Sequence, residues 1–275
     1  MKERLFTGWL LYDGAGAQRN EWFIHRLQTV AAREGISLDL RLIEDIKAKS
    51  VQAEKPDFAI VRSIAPHINQ ALEAQGVRVF NNALTAKTAC DKWETYMACK
   101  RWGIPVLPTV QTGEALAGIG YPCIVKTVDG HGGEEVFRAQ TEAEYLAICQ
   151  RLSAQGKRAI AQKQNAVLGK DMRIYAVNGE IIAGVLRESD SDFRSNFSLG
   201  GRVTLRAADE EQKGIVKELY KRLKFDFIGV DFLPQAGGGW VLNEIEDSAG
   251  ARMLYSLSDI DIAEHMIQHV KSALR

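Results

Sequence analysis

The sequence has no excess of charge: of its 275 residues, 35 are basic and 35 acidic. Residues 1–83 hold 11 Lys and Arg against 10 Asp and Glu, so no charged block hides in either part. Non-specific binding to nucleic acid is driven by excess positive charge, and the chain offers none; only local basic sites for small anions remain. Cysteine is scarce. Cys90, Cys99, Cys123 and Cys149 have no C-x-x-C spacing and no histidine beside them, which argues against a zinc ribbon or a redox pair. Four scattered thiols suit a reducing compartment. The charged residues 1–4 lead into an apolar run that ends by Asp13. That run is too short for a membrane span and carries no signal cleavage pattern. A cytoplasmic protein with no membrane partner is expected. Also missing are G-x-x-x-x-G-K-[ST], G-x-S-x-G and H-E-x-x-H, so a Walker A loop, a hydrolase elbow and a helical zinc site have no support.

What is present is an ordinary globular composition, 46% hydrophobic and 25% charged, enough for a sizeable core without disulfides or metals. The length suits two or three compact units. Residues 5–11 read as a strand, followed by a loop over residues 12–17. A helix then carries Trp22, Ile24, Leu27, Val30 and Ala31 near one face. Strand signals at 37–43, 58–61 and 77–80, with a helix at 66–74, complete a β-α-β-α-β rhythm. That rhythm implies a small parallel sheet covered by helices.

A second unit starts near Thr85 with one helix running to Trp102, where Gly103 and Pro105 stop it. Strand pieces at 107–110 and 123–127 and a helix at 142–152 follow. From Lys157 several β runs appear, at 158–163, 172–177 and 181–188, with Asn178-Gly179 as a hairpin turn signal. A helix over 209–223, strands at 227–233 and 239–245, and a last helix starting at Ser258 or Asp259 close the chain. The expected division is 1–83, 84–157 and 158–275.

Four groups of residues could carry chemistry. Asp231 lies on a strand facing Asn243-Glu244-Ile245-Glu246 across a turn, and Glu244 and Glu246 share a strand face. If the hairpin pairs them with Asp231, three carboxylates converge, which demands a neutralising cation. Oxygen ligands favour Mg²⁺ or Mn²⁺ shared with phosphates; a solvated acidic hairpin is the competing reading. Second, Asp192-Phe193-Arg194-Ser195-Asn196 precedes Gly200-Gly201, and Arg194 offers a planar donor fork for phosphate or carboxylate; a surface loop is the alternative. Third, Lys126 ends an apolar strand and leads into Asp129-Gly130-His131-Gly132-Gly133, a combination suited to phosphate but common after strands. Fourth, Asp171 and Arg173 share a strand face, where an ordinary cross-strand ion pair competes with a site role.

In this order and spacing, from Asp91-Lys92 to the last helix, these groups resemble an ATP-grasp enzyme of the RimK-type ligase group. The D-F-R-S-N segment with its Gly-Gly, the G-V-D strand and the N-E hairpin carry the resemblance. It covers about two-thirds of the chain. The resemblance implies an α/β (α+β) ATP-grasp fold preceded by a Rossmann-like pre-ATP-grasp domain, matched here only in pattern. It implies ATP between two antiparallel sheets, with Lys92 and Lys126 on the phosphates and Lys163 and Gln164 near adenine through backbone groups. Asp171 falls at a nucleotide-contact position. Arg194, Ser195 and Asn196 would hold the triphosphate and an acyl phosphate, and Asp231, Glu244 and Glu246 two Mg²⁺ or Mn²⁺ ions.

Three positions depart from the family's pattern: Lys163 stands for a glutamate, Glu246 for an asparagine, and the glycine loop ends Gly133-Glu134-Glu135. The two glutamates would repel a triphosphate and are expected to point away from it or to meet the amine. Strand-end placement makes Arg62, and with it Arg252, a candidate anchor for a substrate carboxylate; a surface ion pair is the alternative for Arg62. His265 and His269 are expected on a solvated helix face, His131 in the glycine loop either touches phosphate or substrate or has no role, and the five tryptophans are expected to pack in the core or at interfaces.

The implied activity is ATP-dependent ligation of a small-molecule or peptide carboxylate to an amine, plausibly an amino acid such as glutamate, through an acyl phosphate. An ATP-grasp kinase and a non-catalytic nucleotide-binding module are the alternatives. The residues do not fix the substrates or the number of associated chains, and a homo-oligomer is compatible with them.

Overall fold

The computed structural model describes residues 5–46, 53–116, 118–130, 135–165, 167–190, 192–194 and 201–275. His131, Gly132, Gly133, Glu134, Ser195 and Asn196 lie outside them.

The chain begins with β1 (Phe6–Tyr12), α1 (Gly14–Arg19), α2 (Glu21–Arg33), β2 (Ile36–Leu42), β3 (Phe58–Val61), α3 (Pro66–Ala74) and β4 (Arg78–Phe80). The strands form a parallel sheet in the order β2-β1-β3-β4. The segment expected as a loop after β1 is instead largely helix α1, because Asp13 caps it by accepting from Gly16 N. On α2 the buried set is Phe23, Ile24, Leu27, Val30 and Ala31, whereas Trp22, expected on that face, is exposed. Trp9 and Trp240 are buried, as packing residues should be.

The helix expected from Thr85 to Trp102 is two, α4 (Ala83–Ala89) and α5 (Lys92–Trp102). Asp91 makes the break by capping α5, accepting from Trp93 N at 2.8 Å and Glu94 N at 3.2 Å. The break makes Lys92 the first residue of a helix aimed at the site described below.

Next come β5 (Thr109–Gln111), β6 (Cys123–Thr127), β7 (Val136–Ala139), α6 (Glu142–Ala154) and β8 (Ala159–Lys163). They build an antiparallel sheet in the order β5-β8-β6-β7. The break expected at 157/158 therefore falls inside this unit, since β8 pairs with β5 and β6 rather than with the later strands.

The remaining elements are β9 (Lys170–Val177), β10 (Glu180–Glu188), β11 (Arg202–Leu205), α7 (Glu210–Leu223), β12 (Phe227–Pro234), β13 (Trp240–Glu246), α8 (Arg252–Leu257) and α9 (Ile262–Leu274). The strands form an antiparallel sheet in the order β11-β10-β9-β12-β13. Asn178 and Gly179 join β9 to β10 with both φ angles positive, 51° and 84°, as a two-residue hairpin turn of the primed type requires. The last helix is capped two or three residues later than the expected Asp259 or Ser258, by Asp261, and starts at Ile262. No helix among the described residues is long and apolar enough to cross a membrane.

The five-stranded sheet separates two cores. Met172, Ile174 and Ala176 of β9 pack with Ile215, Leu219 and Leu223 of α7. Tyr175 and Val177, on the opposite face, join Leu10, Ile60, Leu27 and the α9 residues Met266 and Ile267. The N-terminal sheet and the last sheet thus share one apolar core. Asn81 pins the junction, accepting from Asp226 N at 2.6 Å and Phe227 N at 2.8 Å and donating to the Phe227 carbonyl. His269 belongs to this junction too: its Nε2 lies 2.7 Å from buried Asp226 Oδ1, so it is not on a solvated face.

Candidate active site

Alternation along β9 puts Asp171 and Arg173 on the face shared with Tyr175, away from α7. On β12 the same face carries Gly229 and Asp231. The β12–β13 ladder pairs Asp231 with Glu244 and Gly229 with Glu246, and its register shifts beyond Asp231. Leu242 and Ile245 both point into the α7 core, and Asn243 is the extra residue of the bulge. A bulge re-aims side chains, and here it delivers Asn243 and Glu244 to the site together. Asp231, Glu244 and Glu246 each place a carboxylate oxygen within 4.8 Å of the others. Three hard oxygen donors at that spacing fit Mg²⁺ or Mn²⁺, which take such ligands together with phosphate oxygens.

The trio is not a set of bare repelling charges. Arg173 donates Nε and Nη2 to the two oxygens of Asp231, each at 2.7 Å, and Nη2 also reaches Glu246 Oε1 at 2.6 Å. Arg187 on β10 donates Nη2 to Asp231 at 2.7 Å and grips Asp171 opposite it in the ladder, with Nε to Oδ1 at 2.6 Å. Burial works to raise the pKa of Asp231, but the two guanidiniums outweigh it and hold the group well below the usual carboxylate range. Glu246 moves the other way: burial raises it, with Asp231 and Glu244 adding to the rise while Arg173 and Arg187 oppose it. The Asp171 pairing anticipated as a cross-strand ion pair exists, with Arg187 as the partner.

Two lysines face the trio. Lys92 pairs with Glu244 Oε1 at 2.9 Å and also donates to the Gly130 carbonyl. Lys126, near the end of β6 and only 5% exposed, donates to Asn243 Oδ1 at 3.0 Å. Burial lowers its pKa to about 8 and Lys92 adds to the shift, against the opposing pull of Glu244 and Asp231. Glu135 is turned away from these groups, accepting from Thr127 Oγ1 at 2.7 Å and pairing with Lys157.

Two cavities meet at this wall. One, about 130 Å³, lies between the middle and last sheets and is lined by apolar Leu107, Ile124, Val136 and Leu233 along with Lys126 and Lys163. The other, about 690 Å³, opens between the last sheet and the N-terminal unit. Lys92, Arg187, Glu244 and Glu246 line both.

The remaining expected residues divide. Asp171 and Arg194 line the smaller cavity, and Arg194 is bound to Asp192 through Nη2 at 2.8 Å. Lys163 lines it with an exposed side chain, while its N–H is taken by the Pro108 carbonyl at 2.8 Å. The Gln164 side chain is turned to Arg138, accepting from Nε at 2.6 Å. Arg62 borders the larger cleft but is no surface ion pair: it is buried, lies over the rings of Phe23 and Phe227, and donates to the Ala249 carbonyl at 2.9 Å. Arg252 is exposed at the same cleft and donates to the Arg19 carbonyl. Sequence reasoning missed Asn243 and Arg187. Arg187 carried a usable signal, since an arginine inside an otherwise apolar strand run needs a buried partner.

The chain is similar in sequence and in fold to known proteins. A probable alpha-L-glutamate ligase of Pasteurella multocida is 29% identical over 207 residues, 72% of this chain and 66% of that protein. The N-acetylaspartylglutamate synthase A of Homo sapiens is 25% identical over 237 residues, 80% of this chain and 61% of the relative. The chain thus spans somewhat under two-thirds of the length of these relatives. The crystal structure of D-cycloserine synthetase DcsG superposes with a TM-score of 0.75 at 20% identity, covering 98% of this chain and 100% of that one, so the two share a fold. The sequence profile of the RimK-like ATP-grasp domain matches residues 108–270, more than half of the chain, and the protein belongs to that family.

Proposed function

We propose that the chain is an ATP-dependent carboxylate–amine ligase. The observation that carries this reading is the shared wall between the two cavities, where Lys92, Arg187, Glu244 and Glu246 face the pocket between the two antiparallel sheets on one side and an open cleft on the other. ATP would lie in the smaller cavity with its base against Leu107, Ile124 and Leu233. Lys163 and Gln164 would meet the base through backbone groups, since the Gln164 side chain serves Arg138. Asp171 would border the nucleotide, its carboxylate held by Arg187. Asp231, Glu244 and Glu246 would hold two Mg²⁺ or Mn²⁺ ions, whose contribution when bound is neutralisation of phosphate charge.

The protein's own residues then have defined tasks. Lys92 and Lys126 hold the phosphates in line with the cleft. A substrate carboxylate in the larger cleft attacks the γ-phosphate, and ADP leaves. Lys126 and Arg194, with Ser195 and Asn196 beside it, spread the charge that develops on the transferring group, as positioning and electrostatics dominate phosphoryl transfer. The amine attacks the acyl phosphate, an amide forms and phosphate leaves, with Arg194 stabilising the tetrahedral oxyanion. Arg62 and Arg252 are the candidate contacts for substrate carboxylates. Arg62 Nη2 fixes the loop after β13 through the Ser248 and Ala249 carbonyls, while its buried Nη1 has no hydrogen-bond partner among the described residues. Residues 1–83 would be the Rossmann-like pre-ATP-grasp unit, 84–157 the lid and 158–275 the metal and phosphate unit, with β8 joined to the lid. The setting is cytoplasmic, and the amine is an amino acid such as glutamate.

Incubation with ATP, Mg²⁺, a carboxylate and an amine tests the reading. ADP and phosphate should appear only when both co-substrates are present. Release of AMP contradicts the mechanism, and a stable phosphorylated product formed without amine selects the kinase alternative.

A further inference from the structure

The outer strands of the three sheets are β2 and β4, β5 and β7, and β11 and β13. An outer strand offers a row of backbone donors and acceptors to another chain unless it is short, charged or covered. Five of these strands are managed in one of those ways. β4 and β5 have three residues each and β7 has four. β13 meets the segment before β5, where Leu242 N donates to the Pro105 carbonyl at 2.9 Å. β11 has four residues, and antiparallel pairing with its own copy about Thr204 would oppose Arg202 and Arg206. β2 is the exception. Its seven residues, Ile36–Leu42, run beside β1 in unbroken register and include no proline, lysine or bulge. No described strand pairs with its outer side.

The direction of its backbone groups follows from the ladder. Arg62 N donates to the Leu11 carbonyl at 2.8 Å. Odd-numbered residues of β1 therefore turn their backbone groups to β3 and even-numbered ones to β2. A residue in a parallel ladder bonds the two neighbours of its register partner, and Leu10 is in register with Leu40. The inward backbone groups of β2 thus belong to Ser37, Asp39 and Arg41. Those of Leu38, Leu40 and Leu42 point outward, and the Leu38 carbonyl accordingly accepts from Gln28 Nε2 at 3.0 Å. Side chains alternate between the two faces as well. The three leucines share the α2 face with Ile36, and Leu40 is 38% exposed. Asp39 and Arg41 share the opposite face, and both are exposed. Arg41 lies over the Trp9 ring and pairs with Glu54 at 2.9 Å. Among the described residues, no cation lies within ion-pair distance of Asp39.

We propose that β2 pairs with β2 of a second copy of this chain, antiparallel about a two-fold axis at Leu40, and so joins two four-stranded sheets into one. The side chains select this register. With the axis at Leu40, Leu40 opposes its own copy and Leu38 opposes Leu42 of the partner subunit, each pair exchanging backbone hydrogen bonds through groups that already point outward. On the other face, Asp39 opposes Arg41 of the partner subunit, and the symmetry repeats the contact. An axis at Asp39 or at Arg41 sets like charges against each other, which is unfavourable for directly opposed residues. An axis at Leu38 or Leu42 leaves Asp39 without Arg41. An axis between two residues sets the leucine row against the charged row. The Leu38 carbonyl keeps its bond from Gln28 and accepts the second donor through its other lone pair. The contact uses the same patch on both copies and closes at two. It is independent of the ligase reading.

Sedimentation velocity of the full chain tests the proposal. Edge pairing buries a small area and belongs with the weak associations, so the mass should rise from 30.5 kDa toward twice that value between about 1 and about 200 µM. Asp39→Arg sets arginine against arginine, and Arg41→Asp sets aspartate against aspartate. Each alone should weaken the dimer at least about tenfold, because the two-fold counts every opposed pair twice. The double variant, Asp39→Arg with Arg41→Asp, restores opposite charges in the same register and should recover the association. An equimolar mixture of the two single variants should also pair, since every opposed charge is then complementary between the two chains. Recovery in the double variant and in the mixture separates lost pairing from lost folding, because a misfolded chain regains nothing. Wild type that stays monomeric at every concentration would overturn the proposal. So would single variants that associate as wild type does, or a double variant and a mixture that both remain monomeric.

Discussion

Replacing Asp231 with asparagine should destabilise the fold before any substrate is added. Asp231 is 4% exposed and accepts three charge-assisted hydrogen bonds, two from Arg173 and one from Arg187, all at 2.7 Å. An asparagine keeps the shape, removes the charge and turns an N–H₂ donor toward guanidinium donors. Breaking a buried ion pair from one side typically costs about 3–5 kcal/mol, because the remaining charge stays buried without its partner. Here Glu246 still holds Arg173 and Asp171 still holds Arg187, so the lower end, about 3 kcal/mol, applies. At roughly 2–4 °C per kcal/mol for a chain of this size, the melting temperature should fall by about 6–12 °C. The pH dependence has a definite sign. Asp231 is held below its unfolded-state pKa, so its contribution is complete above about pH 4 and shrinks as pH falls further. Urea unfolding of both proteins in EDTA, from pH 7 down to pH 3, measures this. A difference below about 1 kcal/mol at pH 7, or one that widens below pH 4, refutes the reasoning.

Lys126→Met should lower the rate of ADP release by about 10²–10³, the usual consequence of losing one preorganised charge at a transition state; steady-state kinetics with saturating ATP would show it. Gly229→Ala would set a Cβ 2.7 Å from the Ala249 Cβ and 3.6 Å from the Arg173 Cδ. It should cost about 1–3 kcal/mol by overpacking, read by urea denaturation. Asn81→Ala leaves the Asp226 and Phe227 N–H groups without their acceptor and should cost about 2–4 kcal/mol, again by urea denaturation. Asp261, mostly buried, caps α9 and accepts from Arg26 and Tyr255. Burial alone would raise its pKa, but those bonds bring it below the usual value. Asp261→Asn should therefore cost about 1–2 kcal/mol at pH 7, with the gap to wild type closing as pH drops below about 4.

Much of the site is local in sequence and could be read there. The G-V-D strand, the N-E hairpin and the D-F-R-S segment each place a charge by strand alternation or short-range geometry. What could not be read depends on register and on contacts between distant segments. Asn243 reaches Lys126 only because the β12–β13 ladder bulges, and an alternating pattern assumes that no bulge exists. The neutralisation of Asp231 requires β9, β10 and β12 to be adjacent, which no spacing within one strand reveals. Trp22 and Phe23 are neighbours of similar apolarity, and a rotation of α2 by one residue exchanges which of them is buried. His269 meets Asp226 across 43 residues of sequence, where helical periodicity gives no partner. The split between α4 and α5, in contrast, carried a signal in Asp91, a residue that caps helices more readily than it sits inside them.

The central claim is that Asp231, Glu244 and Glu246 hold divalent metal against a nucleotide. Soaking crystals with Mn²⁺ and a non-hydrolysable ATP analogue and recording the anomalous signal tests it most directly. The account predicts density bonded to oxygens of all three carboxylates and to the analogue's phosphates, with Arg173 Nη2 displaced from Glu246. A nucleotide bound in the smaller cavity with no metal at these carboxylates would contradict it.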